Sequence, residues 1–346
     1  MGIYLLQPPA ENYWTGGYIY NRELARHSSL QLLSVPSDAL IAQVQSMHQS
    51  ESIILDSLYL YQKEWQQSWP ENRFYYLLVH HLQSCDTALS VSERQIWAKQ
   101  ELESLRRAQG LIVTSYHMAD YLQKKLPHKP LFACPPGVDL QRQGQFRQRR
   151  WQYLHKPQSE SVKLLTVAHI TARKGYLPGA KLLARLRECV PHLDWSWNII
   201  GSEQHDAVYA SEFRRFLQQA KLIDRVRFHG LQSPVEALNT MSEADSMFFP
   251  SLFETFGMVV LEALSIGLPV IAHDQGEMKR LIFEDFHGRV IPMLDLERSI
   301  REMSDFLLDR KQVHMAAEQL LQVKSVRDWQ RVAEDFMQGW SRIQYA

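Results

Sequence analysis

The stretch that decides the fold runs from Ser246 to Ala272 and reads SMFFPSLFETFGMVVLEALSIGLPVIA. Its pattern predicts a strand at Ser246–Phe249 and a second strand at Pro269–Ala272. Between them, a helix should begin at Gly257 and end before Gly267. A strand, a helix and a second strand in this order are the repeating unit of a parallel α/β sheet.

The start of this helix predicts an anion site. The N–H groups of Phe256, Gly257, Met258 and Val259 have no partner within the helix, so they can bind a negatively charged group. Thr255 belongs to the same candidate site. Glu254 lies in the turn just before it, and a carboxylate beside an anion site is unexpected unless a neutral group, such as a sugar hydroxyl, lies between them.

Glu262 is the second carboxylate of this stretch. It is the only charged residue between Phe256 and Ala272. The apolar residues around it are explained by packing on a sheet, and Glu254 could be explained by the helix dipole. A mostly buried carboxylate costs free energy unless it is hydrogen-bonded. We therefore interpret Glu262 as a functional residue.

Composition sets the class of protein. The chain has 346 residues, of which 45% are hydrophobic and 22% charged, which is typical of two globular domains. Lys plus Arg equals Asp plus Glu at 38 each, which predicts no nucleic-acid partner. Cys85, Cys134 and Cys189 lack metal or disulfide spacing. The N-terminal sequence MGIYLLQPPA does not resemble a signal peptide, so we expect a cytoplasmic protein.

The first half alternates apolar runs with helical segments, which predicts a doubly wound parallel sheet. Gly16 and Gly17 follow the first strand and suit a close approach of the backbone to a ligand, although paired glycines are also common in turns. Their spacing is not that of a nicotinamide or flavin motif. His80 ends the strand predicted at Phe74–Val79. It could contact a ligand there or be a core histidine bonded to backbone.

The segment from Gln141 to Lys156 has a different composition. It carries five Lys and Arg residues and no acid, with Phe146, Trp151 and Tyr153 among them. We favour a solvated inter-domain linker with a helical turn. The alternative is a patch that binds a membrane surface from the cytoplasmic side.

The second half repeats the alternation and places polar residues after each strand. Arg173 and Lys174 follow the strand at Val162–Ala168, and two adjacent cations there could bind a diphosphate. Gly201 follows the next strand, and Gly230 and Leu231 follow the one after that. Because the carboxyl ends of parallel strands lie at one edge of a sheet, we expect Arg173 and Lys174 near the helix start at Phe256–Val259.

These motifs resemble the retaining family 4 glycosyltransferases, the "group 1" set. Glu254 and Glu262 are separated by seven residues, as in the family's EX7E signature. The segments HITARKG, IIGSE, IVTSYHMADYL, CPPGVD, VHHL and SVRDWQRVAEDF resemble further family motifs, so the resemblance covers nearly the whole chain. Two departures stand out: His169 replaces a glycine, and Lys279-Arg280 follow Gly276-Glu277-Met278 where the family has an acid.

The resemblance implies the GT-B architecture, with two Rossmann-like domains facing across a crevice. We expect the acceptor-side domain at 1–145 and the nucleotide-sugar domain at 158–325. The C-terminal helix at 326–346 should return to the first domain.

The resemblance also assigns roles to residues. Glu262 would bind ribose, and Glu254 a hydroxyl of the donor sugar. Arg173 and Lys174 would bind the diphosphate, and His80 would contact the reacting sugar. The remaining assignments concern donor binding by backbone or by small residues: Gly16, Gly17, Gly201, Gly230, Leu231, Thr255, Phe256, Gly257, Met258 and Val259.

The implied reaction is transfer of a hexose from a UDP- or GDP-sugar to a hydroxyl acceptor with retention at the anomeric carbon. The acceptor could be a glycan, a lipid or a small metabolite. We expect no cofactor and no metal, because two protein cations can stabilise the leaving diphosphate. The alternatives are a nucleotide-sugar phosphorylase or epimerase on the same fold, and a non-catalytic nucleotide-sugar-binding protein.

Overall fold

The computed structural model describes residues 2–9, 15–62, 69–157, 159, 161–283, 286–323 and 326–344. The chain forms two compact units. Unit 1 consists of Met1–Gly137 and Arg327–Ala346, and unit 2 of Val138–Val326.

Unit 1 contains a parallel sheet of six strands in the order β2-β1-β3-β4-β5-β6. The strands are β1 (Ile3–Gln7), β2 (Leu30–Ser34), β3 (Ser52–Asp56), β4 (Tyr76–Val79), β5 (Leu111–Val113) and β6 (Leu131–Ala133). Its first helices are α1 (Gly16–His27), α2 (Leu40–Ser46), α3 (Val91–Arg107) and α4 (Tyr116–Lys125), with 3₁₀ turns at Ser57–Tyr61 and Gln83–Cys85.

Unit 2 contains a second parallel sheet of six strands in the order β12-β11-β10-β7-β8-β9. The strands are β7 (Val162–Val167), β8 (Trp195–Ile200), β9 (Val226–Gly230), β10 (Ser246–Phe249), β11 (Val270–His273) and β12 (Gly288–Ile291). The helices are α5 (Leu140–Leu154), α6 (Tyr176–Cys189), α7 (Ala207–Gln219), α8 (Pro234–Ser242), α9 (Met258–Ser265), α10 (Met278–Leu281), α11 (Leu296–Leu308) and α12 (Arg310–Gln322).

The central strands of unit 2 are buried on both faces, as the continuous apolar sequence of β10 and β11 predicts. Phe248 and Ile271 face one hydrophobic core. Met247, Phe249 and Val270 face the other. Because successive side chains of a strand point to opposite faces, one short apolar strand supplies both cores.

Each sheet has one switch point, where successive strands of the chain stop being added on one side of the sheet and are then added on the other. In unit 1 this switch point lies between β1 and β3, because β2 lies on one side of β1 and β3 on the other. In unit 2 it lies between β7 and β10, because β8 and β9 extend to one side of β7. Ligands of open α/β sheets bind outside the carboxyl ends of the strands at such points.

The interpretation of 141–156 as a linker is wrong. The segment up to Leu154 lies in α5, which buries Gln143, Phe146, Arg150 and Leu154 in unit 2. Sequence reasoning missed this face because two of its four residues are polar and the helical stripe is therefore hidden.

The arginines of α5 bind protein groups of unit 2. Arg147 donates to the carbonyl oxygens of Ser265 at 2.6 Å and Val323 at 3.2 Å, near the ends of α9 and α12. Arg149 pairs with Glu243. Arg150 is fully buried and donates to the carbonyl oxygens of Gly267 and Ala244. These three guanidinium groups therefore hold α5 on unit 2.

The last helix, α13 (Trp329–Gln344), packs within unit 1 against α1 and β6. Its ring contacts include Trp340 with Tyr76 at 4.5 Å and Trp329 with Tyr20 at 5.6 Å. Gly339 is required there because a Cβ atom would lie 2.3 Å from the Phe132 ring. Among the described residues, none of the helices is both long and apolar enough to span a bilayer.

Candidate active site

The loops after β7 and β10 are joined at the switch point of unit 2. The Leu252 N–H donates to the carbonyl oxygen of Arg173 at 2.9 Å. Gly175 has a φ of +69°, and a Cβ atom on it would lie 1.9 Å from the carbonyl oxygen of Pro250. Only glycine fits this left-handed conformation and this close approach. The glycine after Arg173 and Lys174 therefore fixes both cations beside the β10 loop.

The predicted charged residues form one cluster at this point. Lys174 Nζ lies 2.5 Å from Glu254 Oε2, and Arg173 Nη1 lies 3.6 Å from the same oxygen. Arg173 also donates to the carbonyl oxygen of Phe253 at 3.2 Å. The side chains of Lys174 and Glu254 are each 17% exposed. The structure thus brings together all three residues that the sequence predicted from separate strand ends.

The helix start predicted at Gly257 lies directly beyond this cluster. Gly257 caps α9 with a φ of +89°, and α9 begins at Met258. The N–H groups of Val260 and Leu261 already donate to the carbonyl oxygen of Gly257. The earlier N–H groups of Met258 and Val259 precede the first helical bond, which is where an anion binds a helix.

The loop after β11, where the sequence departs from the family pattern, supports Glu254. Gln275 Oε1 accepts a hydrogen bond from the Glu254 N–H at 2.9 Å. A Cβ atom at Gly276 would lie 2.2 Å from the Glu254 carbonyl oxygen, so this glycine permits the contact. In the same loop Lys279 pairs with Asp274 at 2.7 Å. Lys279, one of the two basic residues that depart from the family pattern, therefore forms an ion pair within its own loop.

Glu262 lies on α9, one to two turns beyond the helix start, and is half-buried. Its carboxylate has no hydrogen-bond or ion-pair partner within the described part of the chain. Burial raises the pKa of this carboxyl to about 7, against the opposing positive charge of Arg142. An acid that is desolvated without a hydrogen bond in the free protein is suited to accept one from a ligand.

The other predicted donor residues lie around the same edge. A Cβ atom at Gly201 would lie 1.9 Å from the carbonyl oxygen of Ala168, and the Gly201 N–H donates to Gly230 at 2.8 Å. Gly230 has a φ of +68° with open space around it, and Leu231 is 55% exposed. Thr255 and Phe256 are buried in the loop before α9.

His169 packs against His205 with the two rings tilted by 49° and 4.0 Å between ring centroids. Its Nδ1 accepts a hydrogen bond from the Ser202 N–H at 3.2 Å. Burial, with the nearby His205 and Lys174, lowers the pKa of His169 to about 4. The ring is therefore neutral at pH 7, so it adds no charge to the cations of the β7 loop.

His80 lies at the switch point of unit 1. Its Nε2 lies 2.8 Å from Asn21 Oδ1 and 3.5 Å from Asp56 Oδ2. Burial lowers the pKa of His80, and the charge of Asp56 opposes the shift. Gly16 is the first residue of α1, and a Cβ atom at Gly17 would lie 3.3 Å from the His80 ring. The paired glycines thus begin a helix against which the histidine packs.

Three polar residues of this second cluster were not predicted. Gln7 ends β1, Asp56 ends β3 and Asn21 lies within α1, and all three are buried. The strand-end position of Asp56 after an apolar run could have identified it. Asn21 carries no such signal, since a polar residue in a helix is usually exposed.

Among the described residues, no group of three or more His, Cys, Asp or Glu side chains could hold a metal ion.

Two parallel six-stranded sheets with polar clusters at their switch points define an α/β protein of the GT-B class, and comparison with known proteins identifies the family. The model of glycosyl transferases group 1 matches residues 148–321, about half of the chain. The chain belongs to this family.

Curated relatives match over part of the chain. D-inositol 3-phosphate glycosyltransferase of Paenarthrobacter aurescens is 30% identical over 160 residues, which cover 46% of this chain and 38% of that protein. Glycogen synthase of Mycobacterium tuberculosis is 27% identical over 188 residues, covering 53% and 44%. The matched segment thus spans about two fifths of the length of these relatives.

Solved structures match over nearly the whole chain. Sucrose-phosphate synthase of Thermosynechococcus elongatus gives a TM-score of 0.75 at 18% identity and covers 99% of both chains. Anabaena Alr3699/HepE in complex with UDP and glucose gives 0.76 at 16% identity, covering 99% of this chain and 100% of that one. At these identities the likeness establishes the GT-B fold, which confirms the fold class predicted from the sequence.

Proposed function

We propose that this glycosyltransferase transfers a hexose from a nucleoside-diphosphate sugar to a hydroxyl acceptor, with retention at the anomeric carbon and without a metal. The observation that carries the proposal is the cluster of Arg173, Lys174 and Glu254 beside the start of α9. The UDP and UDP-glucose complexes of Anabaena HepE favour a UDP-hexose as the donor.

The charges of the cluster suit a leaving diphosphate. Cleavage of the anomeric C–O bond develops negative charge on the diphosphate and positive charge on the sugar. Lys174 and Arg173 stabilise the first, together with the N–H groups of Met258 and Val259. Before reaction Lys174 is paired with Glu254 at 2.5 Å, so the lysine is held in place without a ligand. Such preorganisation means that little reorganisation is needed during the reaction.

Glu262 accepts hydrogen bonds from the ribose hydroxyls in this proposal. Its carboxylate lacks a partner in the described part of the chain, which leaves it available to a ligand. Glu254 contacts a hydroxyl of the transferred sugar, and Gly230 with Leu231 lies near the base. The bond to the leaving oxygen breaks as the acceptor oxygen attacks the same face, and the acceptor proton passes to the diphosphate.

The test combines binding and turnover with the full chain. UDP- and GDP-hexoses are screened for thermal stabilisation, since a ligand of the native state raises its stability by mass action. The stabilising donor is then incubated with hydroxyl acceptors, while release of nucleoside diphosphate and the anomeric configuration of the product are followed by NMR. We expect release that depends on the acceptor and a product with the anomeric configuration of the donor.

A matched pair of variants tests the role of Lys174. Lys174→Met should lower kcat on the order of 10²- to 10³-fold, the usual cost of losing one transition-state donor. Lys181→Met is the control, because Lys181 is exposed on α6 of the same unit. Hexose release that requires inorganic phosphate instead of an acceptor would assign a phosphorylase. Donor binding without turnover over the whole acceptor panel would assign a binding protein.

A further inference from the structure

A chain of hydrogen bonds joins five residues at the switch point of unit 1: Ser34, Gln7, Asn21, Asp56 and His80. Gln7 Nε2 donates to Ser34 Oγ at 3.2 Å. Asn21 Nδ2 donates to Gln7 Oε1 at 2.9 Å and to Asp56 Oδ2 at 2.6 Å. Asn21 Oδ1 contacts His80 Nε2 at 2.8 Å. Asn21 and Asp56 are fully buried, so no water competes for these bonds.

The orientation of the Asn21 amide follows from an account of its donors and acceptors. Asn21 Nδ2 has two hydrogens, and it faces two acceptors, Gln7 Oε1 and Asp56 Oδ2. The opposite orientation would place Asn21 Oδ1 against an ionised carboxylate at 2.6 Å. The network therefore has one self-consistent arrangement while Asp56 is ionised. The second oxygen of Asp56 accepts the Leu58 N–H at 2.8 Å, so both of its oxygens have donors within the protein.

This orientation dictates where His80 carries its proton. Because Asn21 presents an oxygen to Nε2, the ring nitrogen must donate to it. We propose that Asp56, acting through Asn21, fixes His80 as the Nε2–H tautomer and so presents the lone pair of Nδ1 as a hydrogen-bond acceptor for a hydroxyl of the sugar or of the acceptor. Asp56 and Asn21 are then positioning residues. This inference rests on the proposed transferase function for its ligand but not for the tautomer itself.

The surroundings of His80 hold the ring in place for this role. Tyr20 packs edge-on against it at 5.2 Å, and Tyr20 Oη is already bonded to the carbonyl oxygen of Cys134. A Cβ atom at position 17 would lie 3.3 Å from the His80 ring, so Gly17 lets the ring pack closely against α1. The His80 N–H of the backbone donates to Ser57 Oγ at 3.0 Å. Asp56 is the charged group that acts on the ring within the described part of unit 1.

The tautomer can be measured directly by long-range ¹H–¹⁵N NMR at pH 7.5 on the full chain with ¹⁵N-labelled histidine. The His80 resonances are assigned by their loss in His80→Gln. We expect a protonated Nε2 and an unprotonated Nδ1 without averaging between tautomers. His229 is an internal reference: its Nε2 lies 2.9 Å from Asn198 Oδ1, but at an exposed site without a carboxylate. Its resonances should average between the tautomers.

Asp56→Asn tests the cause. An amide at position 56 can still accept the Leu58 N–H, but its Nδ2 then faces Asn21, which must turn its own oxygen toward it. Asn21 Nδ2 then donates to His80, and the proton moves to Nδ1. We expect this inverted tautomer, together with a kcat lower on the order of ten- to a hundredfold. Donor affinity measured by calorimetry should change little, since the charged residues proposed to bind the donor, Arg173, Lys174 and Glu262, lie in unit 2.

Asp86→Asn is the matched control. Asp86 is also a buried acid of unit 1 whose Oδ1 accepts a backbone N–H, from Ala88 at 2.9 Å. This variant should leave the His80 tautomer unchanged.

An Nδ1–H tautomer in the wild-type protein, or an unchanged Nε2–H tautomer in Asp56→Asn, would overturn the inference. If no nucleotide-sugar binds or reacts, the proposed function fails, while the NMR result still decides the tautomer.

Discussion

Donor affinity should increase with pH because Glu262 must be ionised to accept hydrogen bonds from ribose. Its pKa is raised to about 7 in the free protein by burial. A bound donor that requires the carboxylate lowers this pKa, so binding releases a proton below neutrality. The ionised fraction is about 9% at pH 6 and about 91% at pH 8 for a pKa near 7, which gives about a tenfold change in affinity, or ~1.4 kcal/mol.

His169, which lies beside the cations of the β7 loop, does not titrate in this range. The pKa of His169 is lowered to about 4, so that ring remains neutral from pH 6 to pH 8. The diphosphate of a nucleotide-sugar is a diester and stays ionised. We therefore expect the pH dependence of donor binding to come from Glu262, and the Glu262→Gln variant tests this expectation.

The assay is calorimetry of UDP-hexose binding from pH 6 to pH 8, in buffers with different ionisation enthalpies. We expect the dissociation constant to fall about tenfold over this range and nearly one proton to be released per donor at pH 6. Glu262→Gln should bind more weakly than the wild type at pH 8, with an affinity that no longer depends on pH. The control Glu212→Gln replaces an exposed residue of α7, and its donor affinity should depend on pH as in the wild type. A flat wild-type profile, or a slope that persists in Glu262→Gln, would refute the assignment.

The same pKa shift predicts a change in stability without ligand. The folded-state pKa of Glu262 lies above its unfolded value of 4.5. The stabilising effect of the bound proton is therefore present below pH 4.5 and is lost as pH rises through about 7. Glu262→Gln should raise the unfolding temperature at pH 8 but not at pH 4. The gain should be about 1–3 kcal/mol, with the upper end corresponding to the full shift.

Three further predictions concern other parts of the molecule. Gly17→Ala should displace the His80 ring, which lies 3.3 Å from the new Cβ atom, and should lower kcat about tenfold in the turnover assay. The control is Gly144→Ala, because a Cβ atom at position 144 meets nothing within 4 Å. This control should instead stabilise α5 by up to ~1 kcal/mol in urea unfolding. Excess EDTA should leave turnover unchanged, and loss of activity restored by a divalent cation would contradict metal independence. Arg150→Met should lower the free energy of unfolding by about 2–4 kcal/mol, because it removes the donor to the carbonyl oxygens of Ala244 and Gly267. The control Arg149→Met removes a half-exposed ion pair with Glu243 and should lower it by less than ~1 kcal/mol. Both are measured by thermal unfolding.

The strand-end cluster of unit 2 was predictable because its residues follow apolar strands in the sequence. The bounds of β10 are those predicted, Ser246–Phe249, and the helix after Gly257 ends before Gly267 as expected. Parallel strands bring their carboxyl ends to one edge, so Arg173, three strands earlier in the chain, could be placed beside Glu254 without a structure. Periodicity and topology together were sufficient here.

The parts that could not be predicted depend on long-range polar contacts. Asn21 meets Asp56, which lies 35 positions away in the sequence, and Arg150 meets Gly267, which lies 117 positions away. Neither residue differs in the sequence from an exposed polar residue of a helix. The basic segment was interpreted as a linker for the same reason, since burial of an arginine requires carbonyl oxygens that only the folded chain supplies.

The two polar clusters differ in how they are satisfied before a ligand binds. In unit 1 the Nε2 of His80 and both oxygens of Asp56 have partners within the protein, so the hydrogen bonds of this network are formed before a ligand binds. In unit 2 the carboxylate of Glu262 has no hydrogen bond to the described residues, and burial raises its pKa to about 7. A donor that supplies hydroxyls to Glu262 recovers that free energy on binding, whereas a ligand of His80 gains only one hydrogen bond. Donor affinity should therefore depend mainly on Glu262, and variants of the His80 network should affect kcat more than donor binding.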